Sequence, residues 1–160
     1  MSLSRRDSGF TLIEIMVVVA LVSLLSALGA GAYRSWALAH AQLGAATDLQ
    51  TILRQTQVRA VTEGYAFCVK FDTTNQSYTV YRYACAPTGN VKVNGPIKLG
   101  DSRLQLAAVN FTAVAPATTS EVTFRASGSA TPGGLSITRV GSTKTYAIAV
   151  EGLTGRVSLS

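Results

Sequence analysis

The sequence predicts an α+β protein: a long N-terminal transmembrane helix that continues into a stalk packed on a C-terminal antiparallel β-sheet head. Three observations predict it. An apolar run from Phe10 to Ala32 carries one charge, Glu14; the segment beyond it keeps helical spacing and no proline to about Thr62; and at Tyr65 the hydrophobic period changes to two. These divide the chain into a basic leader over 1–9, a membrane half of the helix over 10–32, its exposed amphipathic half over 33–63 and a β-rich head over 64–160.

The run from Phe10 to Ala32 is about long enough to cross the ~30 Å hydrocarbon core, whereas the apolar region of a secretory signal is typically ~7–15 residues. That length disfavours a conventional cleaved signal, for which Ala27, Gly29 and Ala30 would supply small residues. Arg5 and Arg6 precede the run and no basic residue follows until Arg34, so the amino terminus is expected in the cytoplasm and the head outside. Glu14 is the anomaly, because a carboxylate in a membrane segment costs about 2.5–3.5 kcal/mol on insertion scales. Either it meets a positive charge from processing or a neighbouring subunit, or it is an incidental acid of a signal anchor, tolerated by snorkelling or protonation.

Beyond the membrane half, Leu38, Ala45, Ala46, Leu49, Ile52, Leu53 and Ala60 form the apolar stripe, with Arg34, Asp48, Arg54 and Arg59 on more exposed sides. Glu63-Gly64 is the expected end. Gly29 and Gly31 weaken the helix by about 1 kcal/mol each relative to alanine, and mark either a bend or a close-packing surface.

In the head, Tyr65, Phe67, Val69 and Phe71 alternate, Asp72–Gln76 supplies turn chemistry, and Ser77–Tyr83 returns, which reads as a hairpin. Ala86–Gly100, rich in Pro, Gly, Asn and Lys, reads as a loop; Arg103–Phe111 as a strand; Ala113–Ser120 as an exposed connection. Glu121–Ala126, Leu135–Val140 and Thr145–Glu151 are strands of an antiparallel sheet, with Tyr146, Ile148 and Val150 on its apolar face.

Of the 14 basic and 8 acidic residues, Arg5, Arg6, Asp7 and Glu14 cancel, so the net +6 resides in residues 33–160. Such a charge attracts DNA, anionic lipid, cell-wall polymer or an acidic subunit alike. Cys68 and Cys85, the only two cysteines, flank the hairpin. On the exported side a disulfide is the favoured reading and would contribute about 3 kcal/mol; reduced cysteines held apart by strand register are the alternative. A metal site is disfavoured, since only His40 could supplement them. No nucleophile–base spacing, phosphate loop or cofactor motif is present, so neither catalysis nor a cofactor is expected.

The basic stub ending in Gly9, followed by Phe10-Thr11-Leu12-Ile13-Glu14, resembles the type III signal of type IV pilins and type II secretion pseudopilins. The resemblance implies that a prepilin peptidase cuts between Gly9 and Phe10, that Phe10 becomes N-methylated, and that Glu14 meets the Phe10 ammonium of an adjacent subunit. Many pilins carry a proline midway along this helix, where the present chain has Gly29 and Gly31; its first proline is Pro87.

In the head, Val122-Thr123-Phe124-Arg125-Ala126-Ser127-Gly128, Gly134-Leu135-Ser136-Ile137, Ala147-Ile148-Ala149-Val150 and Gly155-Arg156-Val157 are similar to the C-terminal domain of the FimT and type II secretion protein H family. The resemblance implies a pilin-like fold and a minor pilin or pseudopilin that helps initiate or cap a filament. It also implies other subunits, the peptidase and an inner-membrane assembly platform as partners, and residence in the cytoplasmic membrane before the pilus or pseudopilus. Some FimT-like members are implicated in DNA uptake through a Gly-Arg-x-Arg tail; here Gly155 and Arg156 are kept and Ser158 replaces the second arginine. Arg125, Arg139, Lys144 and Arg156 are the candidate phosphate contacts, against a solvated basic surface or partners for Glu121 and Glu151.

Overall fold

The computed structural model describes residues 10–83, 85, 89–114 and 117–160; the side chains of Leu28, Ala30, Ala32, Ala113, Val114, Ala117 and Thr118 lie outside that description. The leader, and with it Gly9, also falls outside the described residues. The chain divides into two compact units, Met1–Ala39 and His40–Ser160.

A single helix, α1 (Leu12–Glu63), carries the N-terminal half of the chain. Its start follows from Thr11-x-x-Glu14, the spacing of a capping box. The Glu14 N–H donates to Thr11 Oγ1 at 3.3 Å and to the Thr11 carbonyl at 3.1 Å. Helix α1 passes through Gly29 and Gly31 without interruption, and a Cβ at either would meet nothing within 4 Å. It stops where expected, with Gly64 at φ +72° supplying the left-handed residue after Glu63.

In the unit His40–Ser160, Ala46, Leu49, Leu53, Thr56 and Ala60 recur at helical spacing and are buried. Two antiparallel sheets supply the rest of the core. The first has the order β3-β2-β1-β6, built from β1 (Phe67–Asp72), β2 (Ser77–Arg82), β3 (Val91–Lys98) and β6 (Glu121–Phe124). The second has the order β5-β4-β7-β8-β9, built from β4 (Leu104–Val114), β5 (Ala117–Thr119), β7 (Gly133–Arg139), β8 (Tyr146–Val150) and β9 (Val157–Leu159). Alternation decides the faces: Phe67, Val69 and Phe71 of β1 are buried while Lys70 is exposed, and Ile148 and Val150 of β8 are buried while Ala147 and Ala149 are exposed. Phe71 and Phe111, with rings stacked 5.7 Å apart, join the two sheets across the core.

Three expectations need correction. The loop expected over 86–100 contains β3, an edge strand in which Val93 and Ile97 pack against the core. Its Gly95-Pro96 step sits at the register irregularity opposite Tyr78–Val80, and a missing proline N–H is tolerated at an edge or bulge. Residues 113–120 are not merely a connection, because β4 runs to Val114 and β5 pairs back on it; Ala115 and Pro116 lie outside the described residues. Finally, the strands of the last third do not share one sheet: β6 leaves them to pair with β1. The corner is made by Thr119, whose hydroxyl donates to the carbonyls of Phe111 and Glu121, and by the Ser120 carbonyl, which accepts from the Phe71 N–H at 2.9 Å.

Burial pushes the Tyr78 phenol above its usual 10.0, with the Asp48 carboxylate adding to the shift. The fold therefore favours neutral tyrosine. Its contribution to stability is intact below the unfolded value and lost as pH rises through the higher folded one. The melting temperature of the wild type, followed by circular dichroism, is expected to fall more steeply above about pH 10 than that of Tyr78→Phe.

Candidate functional site

The first turns of α1 place one carboxylate among exposed aliphatic side chains. Glu14 is the only charged residue between Phe10 and Tyr33. Around it Phe10, Leu12, Ile13, Ile15, Met16, Val17 and Val18 are all exposed, from 50% for Ile15 to 80% for Leu12. A helix apolar on every side belongs in lipid or in the interior of a larger assembly. None of the ion pairs among the described residues includes Glu14. Among those residues no helix is long and apolar enough to cross a membrane; Leu28, Ala30 and Ala32 continue the apolar run in the sequence.

The other half of the helix is held to the second sheet by polar ties that periodicity alone did not reveal. Gln42, buried at 1% exposure, donates its amide to the carbonyls of Ile137 at 3.0 Å and Lys144 at 2.8 Å. Arg54 donates from Nη2 to the Val157 carbonyl at 3.0 Å, and Gln57 to that of Thr154 at 2.7 Å. With its amide turned to satisfy its neighbours, Gln50 accepts from Arg54 Nη2 and from the Leu159 N–H. Together they clamp the β7–β8 turn and the outer edge of β9. Glutamine and arginine on a helix otherwise read as solvated positions, so only the two carbonyls facing Gln42 reveal its role.

Gly155, which carries part of the sequence resemblance, has a structural reason. It sits at φ +62°, and a Cβ there would lie 2.4 Å from the Gly128 carbonyl and 2.7 Å from Gln57 Nε2. The neighbouring cations are dispersed. Pairing of Ile137 with Tyr146 brings Arg139 and Lys144 to the β7–β8 turn, whereas Arg156 precedes β9 at the opposite end of β8, roughly 17 Å away at 3.4 Å per residue. Arg125 follows β6 in the other sheet, its N–H donating to the Ser129 carbonyl. The four expected phosphate contacts thus fall in more than one place, and Lys144 Nζ lies over the Tyr146 ring at 5.0 Å.

Cys68 and Cys85 form a disulfide with their Cα atoms 5.6 Å apart, tying β1 to the segment after β2. Glu121 lies beside them, but sulfurs bonded to each other offer no thiolate to a metal.

Substitution of Gln42 tests the clamp. Gln42→Leu removes the amide donor from a buried carbonyl, that of Ile137, and a part-buried one, that of Lys144, and is expected to destabilise the protein by about 2 kcal/mol in denaturant unfolding. A control change at Val58, 58% exposed, to alanine is expected to stay within about 0.5 kcal/mol.

Comparison with known proteins agrees with this architecture. A family model described as the prokaryotic N-terminal methylation motif matches residues 4–30, and one described as type II transport protein GspH matches residues 45–154. No curated protein matches the sequence. The minor pseudopilin EpsH of the Vibrio cholerae type 2 secretion system is similar in structure, with 19% identity, a TM-score of 0.58, and coverage of 74% of this chain and 94% of that one. The type IV minor pilin FimU of Pseudomonas aeruginosa gives 19% identity and a TM-score of 0.54 over 74% of this chain and 87% of its own. The solution structure of E. coli GspH gives 15% identity and a TM-score of 0.52 over 72% and 84%. Identities this low establish the shared fold, and the match over 45–154 establishes more: the chain belongs to the type II transport protein GspH family, among the minor pilins and pseudopilins.

Proposed function

We propose that the protein is cut after Gly9, N-methylated on Phe10, held in the cytoplasmic membrane by the segment 10–32 with its head outside, and drawn into a pilus or pseudopilus through Glu14. The observation that carries this reading is the single carboxylate on an otherwise aliphatic helix exposed on every side. In lipid an unpaired carboxylate is costly; facing an ammonium at ion-pair distance, it recovers much of its desolvation cost. Cleavage at Gly9 creates that ammonium on Phe10, four residues before Glu14. Among the described residues of the uncut chain, Glu14 is in none of the ion pairs. The Phe10 terminus of a neighbouring subunit is the natural partner, and each incorporated subunit presents a new one.

A prepilin peptidase and an inner-membrane assembly platform are the partners this route needs. The methylation motif over 4–30 supports the first step. The GspH match supports the second, since it extends over the part of the chain that forms the head and the half of the helix packed on it.

Replacement of Glu14 separates assembly from processing. Glu14→Ala and Glu14→Leu are expected to insert in the membrane and to be cleaved as the wild type is. Incorporation into sheared filaments, read by immunoblot, is expected to drop by at least about tenfold, because an unmatched ammonium is left among apolar groups. Wild-type incorporation of both variants contradicts the pairing.

A further inference from the structure

The two sheets turn outer faces of different character to solvent. On the second, that face of β7 and β8 carries Gly134 and Ser136, half-buried, and Ala147 and Ala149, exposed, all without charge. On the first, register places Lys70 opposite Thr79, Lys92 opposite Tyr81 and Lys98 opposite Ser77, so three lysines share one face with two carboxylates, Asp72 and, opposite Lys70 on β6, Glu121. All three are exposed, and none forms an ion pair among the described residues. Arg59, Arg82 and Arg103 are paired with carboxylates and Arg54 is bonded to the Val157 carbonyl, whereas Arg125, Arg139 and Arg156, like the three lysines, are in none of the ion pairs among the described residues.

Between the lysines lies a concavity of about 430 Å³, lined by Lys70, Asp72, Ser77, Thr79, Tyr81 and Ser120 among others. The lining restricts the chemistry of an occupant. Lysines call for an anion, while the hydroxyls of Ser77, Thr79, Tyr81 and Ser120 exchange hydrogen bonds with other hydroxyls in either direction. Asp72 accepts from the Thr74 N–H, the Asn75 N–H and the Asn75 side-chain amide, and keeps acceptor capacity that suits a sugar hydroxyl. Tyr81, half-buried, offers a ring on which the C–H face of a sugar can lie. Lys92 and Lys98 stand at opposite ends of β3, a span of about 20 Å at 3.3 Å per residue, which fits an extended chain better than a single sugar.

We propose that the outer face of β1, β2 and β3 binds an acidic polysaccharide, with its carboxylates on Lys70, Lys92 and Lys98 and a sugar ring against Tyr81. This is a surface for ligand capture, separate from the assembly contact at Glu14.

The test uses the full chain in detergent micelles, so neither processing nor filament incorporation enters. Polygalacturonate is the probe, with neutral dextran and duplex DNA as comparison ligands, and affinity is measured by calorimetry at low and high salt. Polygalacturonate is expected to bind at low salt, more weakly as salt rises, and in preference to both comparison ligands. The triple variant Lys70→Gln, Lys92→Gln, Lys98→Gln is expected to bind at least about tenfold more weakly, and Tyr81→Thr to lose affinity without changing the salt dependence. Lys144→Gln, on the second sheet, is expected to bind as the wild type. Circular dichroism melts establish that each variant is folded, and the single change Lys92→Glu repeats the test if the triple variant is not. No binding at low salt, equal binding of dextran, tighter binding of DNA, or wild-type affinity in the lysine variants overturns the proposal.

Discussion

The burial of one helical stripe by two sheets is the interaction on which the His40–Ser160 unit depends. Ala46, Leu49, Leu53 and Ala60 are buried in one apolar cluster with the inward side chains of both sheets. Small residues at 46 and 60 let the sheets approach; leucines at 49 and 53 fill the middle. Stacking of Phe71 on Phe111 then closes the core between the sheets. Apolar burial is non-directional, so it does not by itself fix where along the helix the second sheet sits. Gln42, Arg54 and Gln57 supply that register by bonding named carbonyls of β7–β8 and the β8–β9 segment. The disulfide does comparable work for the first sheet, joining β1 to the segment after β2.

The same helix meets a different constraint in its first half. From Phe10 to Leu25 its large side chains have no cover within the subunit, so the sequence there is matched to lipid or to other subunits rather than to its own head. Glu14 makes the distinction chemical. Aliphatic residues are indifferent to whether lipid or protein surrounds them, whereas a carboxylate is not; under the proposed pairing, this one residue is what would favour the assembled state. One helix thus combines an exposed apolar part with a buried amphipathic part.

Much of this was legible in the chain because it is written in periods. The change from helical spacing to alternation at Tyr65 located the end of α1 and the first hairpin, and the buried positions of β8 follow directly from Tyr146, Ile148 and Val150. What alternation does not encode is partnership. Val122 and Phe124 look the same whether β6 pairs with β7 or β1, and only the corner at Thr119 and Ser120 sends it to β1. β3 was hidden by Gly95 and Pro96, which signal a loop in isolation but are tolerated on an edge strand. β9 was hidden by brevity: Val157–Leu159 is held by β8 and by helix side chains rather than by its own pattern. The basic residues show the limit most clearly, since at similar separations in sequence Arg139 and Arg156 are carried to opposite ends of β8 by strand pairing, whereas Lys70 and Lys92 come to one face.

The amino terminus that Glu14 is to meet can be read directly. Peptide mass spectrometry on the protein extracted from the cytoplasmic membrane is predicted to show chains beginning at Phe10 and carrying one added methyl group on its nitrogen. Chains that begin between Ala27 and Arg34, as after removal of a secretory signal, or that retain residues 1–9 throughout, would contradict it.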